Sequence, residues 1–401
     1  MKSLKEIYRI GYGPSSSHTM GPSTAAGIFL DHNAQADRCK VTLYGSLAAT
    51  GKGHLTDVAV DSVFRNAGKE ADIVWCPKTF LPYHPNAMKF EAMAADGSVS
   101  DEWTVYSVGG GALEEETPKY LQEQESDIYE LSTIDSIMEH CEKRGMDFWE
   151  YVKECEQPEV WDYLTEVWTA MKESIVRGLA TEEVLPGVLH LKRKAAKFFV
   201  KANSYVPSLQ SKGVTFAYAL AVAEENASGG IIVTAPTCGS CGVVPSVLYQ
   251  VQQKHQFSDE RIVRALATAG LFGNVVKANA SISGAEVGCQ GEIGTACAMA
   301  SAAVCQLFGG SVAQVEYAAE MGLEHHLGMT CDPVCGLVQI PCIERNAYAA
   351  VRAMDASLYS ALTDGRHSVS FDKVVTVMKQ TGHDLPSVYK ETSEGGLASH
   401  F

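Results

Sequence analysis

Apolar and polar residues alternate over Lys40-Val41-Thr42-Leu43-Tyr44 and again over Trp103-Thr104-Val105-Tyr106-Ser107-Val108, and glycine follows each run. A period of two marks a strand with one buried face. Ile73-Val74-Trp75-Cys76 is a third short apolar run, and Pro77 stops it because proline cannot donate to a ladder. Gly109-Gly110-Gly111 predicts a turn or a close backbone approach. Gly13-Pro14 and Gly21-Pro22 bracket a short loop ahead of an Ala-rich, helical stretch. Residues 1–112 therefore read as mixed α/β.

The period changes after residue 130. Trp161, Leu164, Trp168, Met171 and Ile175 recur at spacings of three and four, the stripe of a helix with one buried side. Ser258-Asp259-Glu260 is a helix start, with a capping serine and an acidic first turn. Residues 294–308 are almost all small or apolar, which predicts a helix buried on every side. Period-two alternation is scarce after residue 160. The strongly acidic stretch 113–130, opening Leu113-Glu114-Glu115-Glu116, reads as an exposed edge between the two compositions. The expectation is an α+β N-terminal domain over 1–130, a helical connection over 131–160 and an all-α domain over 161–401.

Composition narrows the class. With 401 residues, two domains are the natural expectation. The net charge of −16 argues against nucleic acid and anionic membranes, which attract Lys and Arg. Residues 1–20 carry charges and Ser-Ser-Ser-His where a signal peptide would be apolar, and no apolar run is long enough to span a bilayer. A cytoplasmic protein is expected. Oligomeric state is not written in these patterns; a homodimer is the expectation.

Twelve cysteines are many for that compartment, where disulfides are disfavoured. Cys297 and Cys305 fall inside the small-residue helix and read as core. Cys289, Cys331 and Cys342 lie in loop-like contexts beside Gly or Pro. Cys238 and Cys241 form a Cys-Gly-Ser-Cys pair, which with Cys331 and Cys335 would suit zinc or redox chemistry. An iron–sulfur cluster is the competing reading. Three thiolates on a four-iron cluster leave one iron open to polarise a substrate oxygen. Residue types alone leave zinc and cluster both open.

Longer words in the chain resemble one family. Asn274-Val-Val-Lys277-Ala-Asn-Ala-Ser281-Ile-Ser283-Gly-Ala-Glu286-Val-Gly-Cys289-Gln-Gly-Glu292 resembles the α-domain of iron–sulfur L-serine dehydratases. So do Leu323-Glu-His325-His326-Leu-Gly-Met-Thr-Cys331-Asp-Pro and the run from Gln339-Ile-Pro-Cys342 to Asn346, and Thr234-Ala-Pro-Thr237 followed by Gly242-Val-Val-Pro245. Gly13-Pro-Ser15-Ser16-Ser17-His18-Thr19, Tyr44-Gly45-Ser46-Leu47 and Thr50-Gly51-Lys52-Gly53-His54-Leu55-Thr56-Asp57 resemble the family's β-domain. The resemblance covers nearly the whole chain, with both domains fused. It implies that the all-α domain is catalytic and holds a [4Fe-4S] cluster through Cys289, Cys331 and Cys342. It also implies that Cys238 and Cys241 lie outside the cluster site. The implied reaction turns L-serine into pyruvate and ammonia, a lyase step in serine degradation that feeds gluconeogenesis, with the open iron acting on the substrate hydroxyl and carboxylate.

Within that frame residue roles can be assigned. A base must take the α-proton. His54 is expected there, with Asp57 orienting its ring; His84, in Pro82-Tyr-His-Pro85-Asn86, is the alternative. Ser15, Ser16, Ser17, His18 and Thr19 are a dense donor set suited to the substrate carboxylate. Lys277, Ser281 and Ser283 are further substrate-binding candidates, with Glu286 beside them. His325 and His326 would back up Cys331 or simply end a helix. Two departures stand out. Cys238, Cys241 and Cys335 are not expected throughout the family, which suggests added redox sensitivity. Some members carry a tail cysteine that reaches the cluster, whereas this chain reads Gly395-Gly-Leu-Ala-Ser-His-Phe401. Related cluster lyases acting on cysteine or hydroxy acids, a zinc or redox protein, and a pyridoxal-phosphate dehydratase are the rival readings.

Overall fold

The computed structural model describes residues 1–36, 38–94, 96–121 and 127–401. Part of the acidic stretch, 122–126, and residues 37 and 95 lie outside the described residues. Seven strands follow one another among the described residues: β1 (Ile10–Tyr12), β2 (Arg38–Tyr44), β3 (Glu70–Cys76), β4 (Ala87–Met93), β5 (Val99–Ser107), β6 (Leu113–Glu114) and β7 (Ile231–Val233). The two strands expected from alternation are β2 and β5, and the one expected from the apolar run is β3. β4 was not anticipated: Ala-Met-Lys-Phe-Glu-Ala-Met is buried on both faces at several positions, so its period is blurred.

Five strands form one sheet in the order β3-β2-β4-β5-β6. β2 and β3 pair in parallel, from Arg38 opposite Glu70 to Tyr44 opposite Cys76, with the helix Thr56–Asn66 as the crossover. β4 and β5 add antiparallel neighbours. Phe29 from the helix Gly21–His32 and Phe64 from the crossover pack with Val41, Leu43, Phe90, Trp103 and Val105 into this part's own core. The other face carries charge pairs such as Lys40–Glu91 at 2.9 Å and Lys89–Glu102 at 2.8 Å. The run Gly109-Gly110-Gly111 has φ of +102°, +61° and +83°, and the backbone there passes close to Ser283, where a side chain on Gly109 would press.

The remainder is helical. The small-residue stretch forms the helix Thr295–Leu307, buried at every position but Gln306. It packs against the helices Asp259–Asn279, Val312–Glu324 and Cys342–Ala361, because Ala and Ser side chains let neighbouring backbones approach closely. In the helix Glu159–Ala180 the stripe buries Leu164, Trp168, Met171 and Ile175, while Trp161 is half-buried. Ser258 caps Asp259–Asn279 by accepting from Arg261 N.

The two parts are interlaced. Leu4, Ile7 and Tyr8 belong to the helical part's core, and Tyr8 donates to Leu266 O at 2.9 Å. β1 pairs antiparallel with β7, the short strand within the helical part. The first residues thus anchor the sheet-bearing part to the helices. No helix of the described residues is long and apolar enough to cross a membrane.

Candidate active site

Cys289 follows the short helix Gly284–Val287 and opens the tight turn Gln290–Gly294. Cys331 sits in an extended loop, and Cys342 is the first residue of the helix Cys342–Ala361. All three are buried, and Cys289 is close enough to Cys331 and Cys342 to perturb both thiols. The Cys289 thiol is lowered to about 6, chiefly by a hydrogen bond from Cys331, with Arg345 adding its charge and a hydrogen bond against the cost of burial. Burial beside these groups pushes Cys342 well up, and Cys331 is raised first by its bond to Cys289. Arg345 donates to Thr330 O at 2.6 Å and to Asp332 Oδ1 at 3.3 Å, so it ties the Cys331 loop to the Cys342 helix. Glu292 is raised to about 8 by burial and by Cys289, and it accepts from Thr237 Oγ1 at 2.7 Å.

Histidines from the sheet-bearing part close the other side. Gly53 lies against the loop Cys335-Gly336, where a Cβ would come within 2.4 Å of Gly336 O. That close approach positions His54. Thr50 Oγ1 donates to Ser46 O at 3.1 Å, so at 3.2 Å it accepts from His54 Nδ1–H and leaves Nε2 as the bare nitrogen. Burial, then His18, hold His54 well below the usual histidine range. Its ring meets that of His18 edge-on, centroids 4.4 Å apart. Ser46 Oγ donates to Glu391 O at 3.0 Å and accepts from His18 Nε2–H at 3.2 Å. His18 is lowered to about 4 by burial, with His84 contributing. His84 Nδ1 accepts from Asn86 N at 3.1 Å, so its proton is on Nε2, which points toward Glu286 Oε1 3.7 Å away.

Several expectations change. Asp57 does not orient His54: its carboxylate accepts from Val58 N in the first turn of its own helix, and Thr50 takes the orienting place. The left-handed Leu55, φ +56°, turns the chain between the two residues. His84 carries its proton on Nε2, because Nδ1 accepts from Asn86 N. In the loop, Ser15 Oγ accepts from His18 N, Ser17 Oγ meets His18 Nδ1 at 3.0 Å and Thr19 Oγ1 donates to His54 O at 2.7 Å. These hydroxyls position histidines; Ser16 lies beside Cys238. Ser281 donates to Glu286, whereas Ser283 Oγ is buried without a partner. Lys277 is paired with Glu6 at 2.9 Å and lines a separate cleft of about 650 Å³ with Met1, Arg9 and Asn274. His326 is buried on Gly322 O and His325 is exposed on Met321 O, a satisfied helix-end pair.

The donor chemistry differs between the two cysteine sets. Cys238 and Cys241 are packed in an apolar cluster and held protonated by burial, and Cys335 is exposed. Cys331 bonds Cys289, whereas Cys238 neighbours Cys241, so the proposed four-cysteine zinc set is not assembled. Cys289, Cys331 and Cys342, with a guanidinium to stabilise thiolate charge, fit a cluster held by three thiolates. Sequence reasoning missed Arg345 and Glu292, which stood inside quoted motifs, and Glu391, which no local pattern marks.

The family model of the serine dehydratase alpha chain matches residues 105–398, and that of the beta chain matches residues 3–67 and 64–118. An L-serine dehydratase of Streptomyces coelicolor is 41% identical, with 99% of this chain and 98% of that protein covered. L-serine dehydratase 2 of Escherichia coli is 39% identical over 99% and 98%, and an L-serine dehydratase of Haemophilus influenzae 37% identical over 99% of each.

Proposed function

The chain belongs to the serine dehydratase family, with the beta and alpha parts in one polypeptide, and from that premise we propose that it converts L-serine to pyruvate and ammonia. The observation that carries the reading is that Cys289, which is perturbed by Cys331 and perturbs Cys342, and His18, which meets His54 and neighbours His84, both lie beside the buried Glu391. Bound by the three thiolates, a [4Fe-4S] cluster supplies an open Lewis-acidic position for substrate oxygen.

The chain's own groups supply the rest. His54 takes the α-proton at Nε2, because Thr50 holds the ring proton on Nδ1 and burial keeps the imidazole neutral. His84 presents an N–H. Asn86 Oδ1, Ser107 Oγ and Ser283 Oγ are buried without partners, and such polar atoms are suited to a polar ligand. Burial of all three imidazoles keeps water from the base. Loss of water leaves aminoacrylate, which tautomerises and hydrolyses to pyruvate and ammonia. The twelve free cysteines suit a reducing cytoplasm, and we take the assembly to be a homodimer.

Anaerobic purification with iron and sulfide analysis, coupled to a keto-acid assay on serine, threonine and cysteine, tests this. Serine is expected to be preferred, and air is expected to abolish turnover. Equal or better turnover of cysteine sinks the serine assignment. Full activity after replacing any of Cys289, Cys331 or Cys342 by Ser refutes the ligand set.

A further inference from the structure

Glu391 is brought to the site by a segment strapped to both parts of the chain. Cys331 N donates to Tyr389 O and Glu391 N to Cys331 O, each at 2.8 Å, while Ser46 Oγ donates to Glu391 O at 3.0 Å. Ser393 Oγ bonds Pro333 O, and Leu397 N bonds Asp332 Oδ2, both at 2.8 Å. These ties hold Glu391 at a φ of +57°, a conformation that costs a non-glycine residue on the order of 1 kcal/mol. Two parts of the protein therefore cooperate to keep one strained residue in place.

The carboxylate so placed lacks a donor. Its side chain is 10% exposed and its Oε1 lies 3.6 Å from His18 Nδ1. His18 carries its proton on Nε2, toward Ser46, so Nδ1 is an acceptor. Once ionised, the carboxylate faces an acceptor there. Among the described residues, no hydrogen bond reaches this carboxylate. Burial first, then Glu292 and Cys289, raise this carboxyl well above the usual carboxylate range, so it ionises only where a cation is brought to it. Glu292 has Thr237 and Glu286 has Ser281, while Arg345 is turned to Thr330 and Asp332. A buried carboxylate without donor or counter-charge calls for a cation that carries its own hydrogens.

We propose that Glu391 accepts the ammonium group of the substrate and thereby selects amino acids over hydroxy acids. This rests on the reading of the site as one that processes serine. An ammonium supplies both the missing charge and the missing donors. It is also attached to the carbon that must lose a proton. Donor atoms of Glu391, His18 and His54 lie within 4.8 Å of one another, so an ammonium held by Glu391 brings the α-hydrogen to His54.

The test compares anaerobically reconstituted wild type, Glu391→Gln and Glu391→Asp. KM and kcat for L-serine are measured beside inhibition by L-glycerate, which carries a hydroxyl in place of the ammonium. Loss of a charged hydrogen bond is expected to raise KM for serine about 10- to 100-fold in Glu391→Gln, with glycerate inhibition unchanged and Glu391→Asp intermediate. Equal weakening of serine and glycerate, or an unchanged KM, overturns the inference. Iron and sulfide contents are measured alongside; if Glu391→Gln does not retain iron, the same split is read on Glu391→Asp. Absence of pyruvate with wild type overturns the serine reading itself, so the two failures are told apart.

Discussion

At the scale of single residues, the site turns on which nitrogen carries a proton. Thr50 donates to a carbonyl and so must accept from His54, which frees Nε2 for the substrate. His54→Gln is expected to lower kcat about 100- to 10,000-fold, the usual worth of a positioned base, with KM little changed, as read by steady-state pyruvate release. Asp57→Asn is expected to leave kcat nearly unaltered, because that carboxylate serves its own helix. The sequence marks His54 and its flanking glycine clearly. It does not reveal that Thr50, four residues earlier, holds the ring, since many residues near a histidine can form a hydrogen bond and only the fold chooses one. Glu391 was illegible for a stronger reason: its partners Ser46 and Cys331 lie far away in the chain.

At the scale of elements, glycine contacts join the two parts. Gly53 touches Gly336 with no space for a side chain. Gly53→Ala forces that loop to move, and overpacking of this kind costs about 1–3 kcal/mol. The expectation is a lower urea midpoint together with reduced turnover, since His54 is the next residue. A lower midpoint with full turnover would show that the loop approach does not position His54. The helices were legible where one face alone is buried, as with Leu164, Trp168, Met171 and Ile175. β4 was not, because burial on both faces removes the alternation that reveals a strand. β1 and β7 were missed because three residues are too few to show a period.

At the scale of the whole molecule, buried charge shapes the response to pH. Glu320, in the helix Val312–Glu324, is raised to about 7, first by burial and then by Glu324. A raised carboxyl holds a proton in the folded state that the unfolded chain releases from about pH 4.5 upward. This group therefore imposes no penalty below pH 4.5, and its full penalty applies above pH 7. Partial solvent screening leaves that penalty at about 2 kcal/mol. Glu320→Gln is expected to raise the unfolding temperature at pH 8 and to leave it almost unchanged at pH 4.5. An equal shift at both values would mean that the gain comes from packing and not from charge.

The sequence by itself determined the class of each half, the strands β2, β3 and β5, the wholly buried helix, the family and the three cysteines that converge. Periodicity and short motifs are local, and local patterns survive in a linear chain. The tertiary structure alone decided the rest. It set the N-terminal residues into the helical core, paired Thr50 with His54, kept Cys238 and Cys241 apart from Cys335, and carried Glu391 to His18. Each of these depends on which distant surfaces pack together, and no spacing along the chain encodes that choice.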